Sequence, residues 1–220
     1  MQAYIFDFNG TLYPDKEIHR MAWKRFMADH GVIITDEDYE KYMYGPCNDV
    51  IVRRFLGADL PLAEVRRLSG EKEAIYRQIA LDDPALQHLT PGTDEMLDML
   101  TAQGVPHAIA TGSMPENVDF YFETLGIGHW FDRAHVFFDE ADLPGKPDPA
   151  IYRLAMQRLG YDPKAVTVVE DSLSGIQSAH GARVGRIIAI DTTLGPEALQ
   201  RVEEVDAIVH DFFGFERFVQ

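Results

Sequence analysis

The chain has 220 residues, 46% of them hydrophobic, which is enough for one large domain or for a domain with an inserted lobe. Its formal net charge of −16 argues against sequence-independent binding to nucleic acid or to an anionic membrane. The single cysteine, Cys47, excludes an internal disulfide and a cysteine-rich zinc site, and no apolar run is long enough to span a bilayer. We therefore expect a cytoplasmic protein that is a monomer or a weak dimer.

The chain opens with a predicted buried strand. Residues 3–6, Ala-Tyr-Ile-Phe, are apolar, and Gly10 predicts a tight turn behind them. Asp7 and Asn9 follow at alternate positions, at the C-terminal tip of this strand. Ligands of open α/β sheets bind at this end of the strands. Asp7 is therefore a candidate nucleophile or metal ligand, whereas the amide side chain of Asn9 does not titrate.

Residues 15–87 carry helical patterns and little strand signal. Apolar residues recur at helical spacing over 18–27. Further helices are predicted over three stretches, which are 36–43, 48–56 and 62–81. Ser69-Gly70 is a candidate break in the last of them. We predict that 15–87 forms a helical cap domain inserted into a core made of residues 1–14 and 88–220.

From Pro91-Gly92 onwards, short apolar strands alternate with helices. Strands are predicted over 105–110, 135–138, 166–169, 185–190 and 205–209. Helices are predicted over 93–103, 117–125, 150–159, 174–180 and 196–204. Strands that alternate with helices favour a parallel sheet. The predicted fold class is therefore α/β, with a doubly wound parallel-sheet core of Rossmann type and an inserted α-helical cap.

Polar side chains follow four of these elements, and the strand tips of a doubly wound sheet meet at one edge. The residues concerned are Asp7, Asn9, Thr111, Ser113, Lys146, Glu170 and Asp171. Each motif by itself is weak, because Asp, Ser and Thr commonly cap helices and a loop lysine is commonly solvated. The order and spacing of all four together are much more informative.

Four segments carry a resemblance to a known family. They are Asp-Phe-Asn-Gly-Thr (7–11), Ala-Thr-Gly-Ser (110–113), Gly-Lys-Pro-Asp-Pro (145–149) and Glu-Asp-Ser-Leu-Ser-Gly-Ile (170–176). In this order they resemble the motifs of the haloacid-dehalogenase (HAD) superfamily, and the resemblance covers almost the whole chain. The helical insertion after the first motif is similar to the β-phosphoglucomutase and phosphoglycolate phosphatase branch. The resemblance implies the predicted fold and a HAD-type phosphomonoester hydrolase.

The resemblance also implies roles for the site residues. Asp7 would attack phosphorus and form an aspartyl-phosphate. Mg²⁺ would be held by Asp7, Asp171 and the backbone carbonyl of Asn9, with Glu170 ordering its water shell. Phosphate or substrate binding would fall to a further set, in which Lys146 also neutralises the nucleophile. That set is Thr111, Gly112, Ser113 and Lys146 in the core, with His19 and Lys72 in the cap.

Asn9 departs from the family pattern. Phosphatases and mutases of this family carry an aspartate there, which protonates the leaving oxygen and then activates water. An amide has no proton to give and no basic form near neutral pH. Since general acid–base catalysis is typically worth ~10²–10⁴-fold, turnover should fall by that order. Three interpretations are open: a natural variant with slow catalysis or a good leaving group, an engineered substitution that stalls the enzyme, and a non-catalytic phosphate-binding relative.

The sequence and the resemblance together lead to one expected function. We expect a magnesium-dependent phosphatase that acts on a small phosphorylated metabolite, and on a sugar phosphate in particular. A catalytically weak or inactive phosphate-binding or regulatory relative is the alternative, and a hexose-phosphate mutase is third. β-Phosphoglucomutase carries an arginine at the position that corresponds to Asn48 and a lysine at the position that corresponds to Met114. The absence of both cations from this chain counts against the mutase.

Overall fold

A computed structural model describes residues 2–43, 45–138 and 143–219. The chain divides into two compact units. One unit consists of Met1–Pro14 and His88–Gln220, and the other consists of Asp15–Gln87. Across the described ranges, no helix combines the length and the apolar character that crossing a membrane requires.

A parallel sheet runs through the larger unit. In the described part of the chain its strands are β1 (Ala3–Phe6), β2 (His107–Ala110), β3 (Val136–Phe137), β4 (Val166–Glu170), β5 (Arg186–Ile190) and β6 (Ala207–Val209). Their order is β3-β2-β1-β4-β5-β6, and every neighbouring pair is parallel. The direction of strand addition reverses between β1 and β4, so a crevice opens at their carboxyl ends. The predicted doubly wound parallel sheet is confirmed.

The helical unit contains α1 (Lys16–Asp29), α2 (Asp36–Asp38), a π-helix (Tyr39–Met43), α3 (Asn48–Leu56) and α4 (Leu62–Asp82). Helices α1 and α4 pack against each other, and their apolar faces share one buried cluster that includes Trp23, Phe26 and Leu68. Helix α4 is continuous, so the candidate break at Ser69-Gly70 is wrong. A glycine inside a helix costs about 1 kcal/mol, which the burial of neighbours such as Leu68 outweighs.

The remaining helices belong to the larger unit. They are α5 (Thr93–Ala102), α6 (Pro115–Thr124), α7 (Ala150–Leu159), α8 (Leu173–Gly181) and α9 (Pro196–Leu199). Successive side chains of a strand point to opposite faces of the sheet. Ile5 therefore joins the cluster that contains α7 and α8, whereas Tyr4 and Phe6 contact Phe215 near the C-terminus.

Helix α9 is shorter than the predicted helix over 196–204, and that prediction is wrong in length. Beyond Gln200 the backbone bonds are of the i to i+3 type, from Arg201 to Ala198 and from Val202 to Leu199. Leu199 is the buried residue of this helix. Val202 and Val205 are only partly buried against the core, so few apolar contacts would stabilise further α-helical turns.

The C-terminal aromatic segment packs closely on the start of α5. Gly92 has a φ of 79° and directly precedes this helix. A Cβ atom at Gly92 would lie 2.5 Å from the backbone nitrogen of Phe213. The backbone N–H of Phe212 also donates to the carbonyl of Pro91 at 2.9 Å. The glycine therefore permits a close backbone contact that the Cβ atom of any other residue would block.

We expect Gly92→Ala to destabilise the protein more than Gly104→Ala. Both glycines have positive φ, 79° and 64°, so alanine should cost roughly 1–2 kcal/mol at either position. No heavy atom of the described residues lies within 4 Å of a Cβ at Gly104. Crowding against Phe213 should add about 1–3 kcal/mol at Gly92. Urea unfolding measures both losses, and equal losses would contradict the packing of the aromatic segment.

Candidate active site

The predicted core residues meet where β1 and β4 end. The backbone N–H of Asp7 donates to the carbonyl of Val169 at 2.9 Å, which holds the end of β1 beside the end of β4. Asp7 and Asp171 follow these two strands, and both are buried. The carboxyl ends of neighbouring parallel strands thus bring together residues that are far apart in sequence.

Lys146 joins two of the carboxylates. Its Nζ atom lies 2.5 Å from Oδ1 of Asp7, 2.6 Å from Oε1 of Glu170 and 3.1 Å from the carbonyl oxygen of Ala110. Burial lowers the pKa of Lys146, but the charges of Asp7 and Glu170 outweigh it and hold the pKa well above its usual value. Lys146 is therefore a fixed positive charge beside Asp7.

Glu170 is held by protein donors on both oxygens. Oε1 accepts from Lys146 and from the hydroxyl of Tyr152 at 2.9 Å, and Oε2 accepts from the backbone N–H groups of Asp171 and Ser172. A Cβ at Gly175 would lie 1.8 Å from Oε1, so glycine is needed for the carboxylate to sit over the start of α8. Burial raises the pKa of Glu170, but Lys146 outweighs it and lowers the pKa. Glu170 is therefore ionised.

Asp171 has the opposite electrostatic environment. Burial raises the pKa of its carboxyl, and the charges of Glu170 and Asp7 raise it further, well above the usual range. The hydroxyls of Thr11 and Thr193 donate to its two oxygens. Asp171 is thus placed by hydrogen bonds in a position where its own charge is disfavoured unless a cation is near.

Gly10 makes the approach of Asp171 feasible. Its φ is 77°, and a Cβ there would lie 2.0 Å from Oδ2 of Asp171. The carbonyl of Gly10 also accepts from the hydroxyl of Thr192. The glycine of the first motif is therefore required both by its backbone conformation and by its contact with the fourth motif.

The donor set fits Mg²⁺. One oxygen from each of Asp7, Glu170 and Asp171 lies within 4.8 Å of the others, and all three residues are buried. Among the described residues that meet here, three carboxylates face the single ammonium group of Lys146. A divalent cation would balance the excess negative charge. All-oxygen ligands are the ones that Mg²⁺ prefers. Because Glu170 already has donors on both oxygens, it suits an outer position more than direct coordination.

Asn9 lies in a second polar cluster with two residues of the second motif. Its Oδ1 accepts from the hydroxyl of Ser113 at 2.5 Å and from that of Thr111 at 3.1 Å. Its Nδ2 donates to the hydroxyl of Tyr121 at 2.7 Å. Thr111 and Ser113 are buried, whereas Gly112 between them is exposed. Phosphate binding by these three residues of the second motif stays a prediction.

His19 and Lys72 contact each other inside the helical unit. Nζ of Lys72 lies 2.7 Å from Nδ1 of His19 and 2.8 Å from Oε1 of Glu73, while Nε2 of His19 lies 3.3 Å from Asp15. An ammonium group only donates, so Nδ1 of His19 accepts and Nε2 carries the hydrogen. Burial raises the pKa of Glu73, but the ammonium group of Lys72 outweighs it and lowers the pKa to about 2. A contact of His19 or Lys72 with substrate stays a prediction.

Several residues that contact the site could not be singled out from the sequence, and three of them are tyrosine or threonine residues whose hydroxyls bind predicted site residues. Tyr121 contacts Asn9, Tyr152 contacts Glu170, and Thr193 contacts Asp171. Tyr121 and Tyr152 lie on helices α6 and α7, where their spacing is that of ordinary buried residues. Thr193 lies in the turn behind β5, and the Thr192-Thr193 pair at a strand end was the one signal that could have found it.

Known proteins resemble this chain over most of its length. A family model described as haloacid dehalogenase-like hydrolase matches residues 1–183. The phosphorylated carbohydrates phosphatase of Thermotoga maritima is 27% identical over 217 residues, covering 93% of this chain and 96% of that protein.

Two solved structures show the same architecture. A HAD hydrolase of family IA, variant 3, from Entamoeba histolytica has a TM-score of 0.89 at 28% identity, covering 96% of this chain and 94% of the other. CbbY from Rhodobacter sphaeroides, an Asp-to-Asn mutant in complex with xylulose-(1,5)bisphosphate, has a TM-score of 0.78 at 26% identity. That match covers 96% of this chain and 95% of CbbY.

We expect Asp171→Asn to raise the melting temperature of the metal-free protein at pH 8. Because the pKa of Asp171 is raised by folding, its contribution to stability is complete below the ordinary carboxyl pKa of about 4 and is lost as pH rises. The amide avoids this loss, and each kcal/mol recovered should add about 2–4 °C. The gain should shrink towards pH 4.

Differential scanning calorimetry in EDTA and in Mg²⁺ checks this expectation. Mg²⁺ should raise the melting temperature of the wild type and have little effect on Asp171→Asn. Asp59→Asn, which changes an exposed carboxylate of the helical unit, should behave like the wild type in both buffers. A lower melting temperature for Asp171→Asn at pH 8 in EDTA would contradict the electrostatic account.

Proposed function

Because the chain belongs to the haloacid dehalogenase-like hydrolase family, we propose that it is a magnesium-dependent phosphatase of a small phosphorylated metabolite, in particular a sugar phosphate. The observation that supports this best is the buried contact of Lys146 with Asp7 and Glu170 beside Asp171. A nucleophile paired with a fixed cation is what phosphoryl transfer requires of a protein. The name of the Thermotoga maritima phosphatase supports the substrate class.

The proposed reaction begins at Asp7. One of its carboxylate oxygens attacks phosphorus and displaces the substrate oxygen, which gives an aspartyl-phosphate that water then hydrolyses. Lys146 compensates the negative charge of the nucleophile and of the incoming phosphoryl group. When bound, Mg²⁺ would supply further charge compensation, held by Asp7, Asp171 and the carbonyl of Asn9, with Glu170 ordering its water.

Asn9 sets the expected speed of this reaction. The carboxamide neither protonates the leaving oxygen nor activates the hydrolytic water. Substrates with a good leaving group should therefore react faster than simple alkyl phosphates. The CbbY complex indicates that an Asp-to-Asn exchange in this architecture is compatible with binding of a sugar bisphosphate. We propose that the chain keeps its phosphate affinity and has low turnover.

A phosphate-binding protein with negligible turnover is the second candidate. It is favoured by the contacts of Asn9, whose carboxamide is hydrogen-bonded to Thr111, Ser113 and Tyr121. In this candidate the Asp7 and Asp171 cluster still binds metal and phosphate, and slow hydrolysis is incidental. A hexose-phosphate mutase stays third, and a requirement for a bisphosphate activator would distinguish it.

We expect Asn9→Asp to raise phosphate release by about 10²–10⁴-fold, because it supplies the missing acid and base. Phosphate release from a panel of small phosphomonoesters with Mg²⁺ measures the effect, and Asp7→Ala gives the blank. Peptide mass spectrometry must show that the wild type still carries Asn9, since Asn-Gly sequences deamidate. Wild-type release above the blank favours the slow phosphatase.

Two other results would contradict the phosphatase proposal. Wild-type release equal to the blank, together with no gain in Asn9→Asp, would leave a binding role. Release by Asp7→Ala at the wild-type rate would exclude Asp7 as the nucleophile.

A further inference from the structure

The side chain of Asn9 is part of a closed ring of hydrogen bonds. Nδ2 of Asn9 lies 2.7 Å from the hydroxyl of Tyr121, that hydroxyl lies 3.1 Å from Oγ of Ser113, and Oγ of Ser113 lies 2.5 Å from Oδ1 of Asn9. Thr111 adds a donor to Oδ1 at 3.1 Å. The ring connects the loop behind β1 to the loop behind β2 and to helix α6.

The chemistry of the groups fixes the direction of these bonds. An amide oxygen only accepts, so Ser113 uses its single hydroxyl hydrogen on Oδ1 of Asn9. The contact between Tyr121 and Ser113 must then be donated by Tyr121. Since Nδ2 of Asn9 only donates, the hydroxyl of Tyr121 accepts from it. In this ring Ser113 and Tyr121 each donate one hydrogen, and Oγ of Ser113 also lies 3.0 Å from Oγ1 of Thr111, which has a single hydrogen for Ser113 or Asn9.

Tyr121 is well placed to hold this ring. Its side chain is buried, and its aromatic ring stacks on that of Phe8 with centroids 4.3 Å apart. It also contacts the ring of Tyr13 edge-on at 6.1 Å. Phe8 precedes Asn9 directly, so the aromatic contact orients the tyrosine against the same loop that its hydroxyl binds.

We propose that Tyr121 is a positioning residue that locks the carboxamide of Asn9 in one orientation. The closed ring needs a side chain that donates at one atom and accepts at another, and an asparagine provides both. An ionised aspartate accepts at both oxygens and cannot complete this ring with the same bond directions. The contacts around position 9 therefore favour an amide over an ionised carboxylate.

This ring of hydrogen bonds also protects Asn9 from deamidation. In that reaction the backbone nitrogen of Gly10 forms a bond to Cγ of Asn9, the Cγ–Nδ2 bond breaks and ammonia leaves. Water then opens the cyclic imide to aspartate or isoaspartate. The ring holds both ends of the carboxamide, and the backbone N–H of Gly10 donates to the carbonyl of Tyr13 at 2.7 Å. Both reacting groups are therefore engaged in hydrogen bonds that would have to break before the attack.

Tyr121→Phe tests the lock, because it removes one hydroxyl and keeps the aromatic contact with Phe8. Peptide mass spectrometry during incubation at pH 8 should show deamidation of Asn9 about 3- to 10-fold faster than in wild type, as expected for the loss of one buried hydrogen bond. Ser113→Ala breaks the ring at its other side and should act in the same direction. Tyr161→Phe is the matched control and should deamidate at the wild-type rate.

Selective ¹⁵N labelling of asparagine gives an independent readout. The chain has three asparagines, Asn9, Asn48 and Asn117, so the side-chain amide spectrum is simple. Tyr121→Phe should shift the amide signals of Asn9 and leave those of Asn48 unchanged. Deamidation at the wild-type rate in both ring variants, or unshifted Asn9 signals in Tyr121→Phe, would overturn the proposal. Neither readout uses a substrate. A negative result would therefore overturn the positioning role of Tyr121 without bearing on the phosphatase proposal.

Discussion

The ammonium group of Lys146 lies between Asp7 and Glu170, at 2.5 and 2.6 Å, and the rest of the site depends on this buried contact. Removing one partner of a buried ion pair typically costs about 3–5 kcal/mol, because the other charge is left without compensation. The same contact lowers the pKa of Glu170, whereas burial and the neighbouring charges of Glu170 and Asp7 raise the pKa of Asp171.

Two glycines let the backbone accommodate this charge cluster. Gly10 admits Asp171, and Gly175 admits Glu170, at distances where any Cβ would overlap the carboxylate. Hydroxyl groups then complete the hydrogen bonds that the charged groups leave open, with Tyr152 on Glu170 and Thr193 on Asp171. The site thus combines a small number of charges with close backbone approach and with polar side chains from helix α7 and from the turn behind β5.

The order of motifs allowed much of the fold and site to be predicted, because several charged residues lie at or directly behind the end of a strand whose apolar pattern is visible. Asp7 and Asp171 are examples of this local signal. Tyr121 and Tyr152 could not be found in the same way, since a buried tyrosine on a helix shows the same spacing whether its hydroxyl binds an active-site residue or another group. The length of α9 was also missed, because helical propensity over 196–204 does not reveal how much apolar surface the core can cover.

The most direct test of the account is to look for a phosphoryl group on Asp7. A small acyl phosphate is a suitable donor, since its carboxylate leaves without needing a proton, and Asn9 should slow the hydrolysis that follows. After incubation with Mg²⁺ and an acid quench, peptide mass spectrometry should detect the phosphoryl adduct on Asp7, and Asn9→Asp should show less of it. Phosphate release without any adduct on Asp7, or an adduct on another residue, would contradict the account.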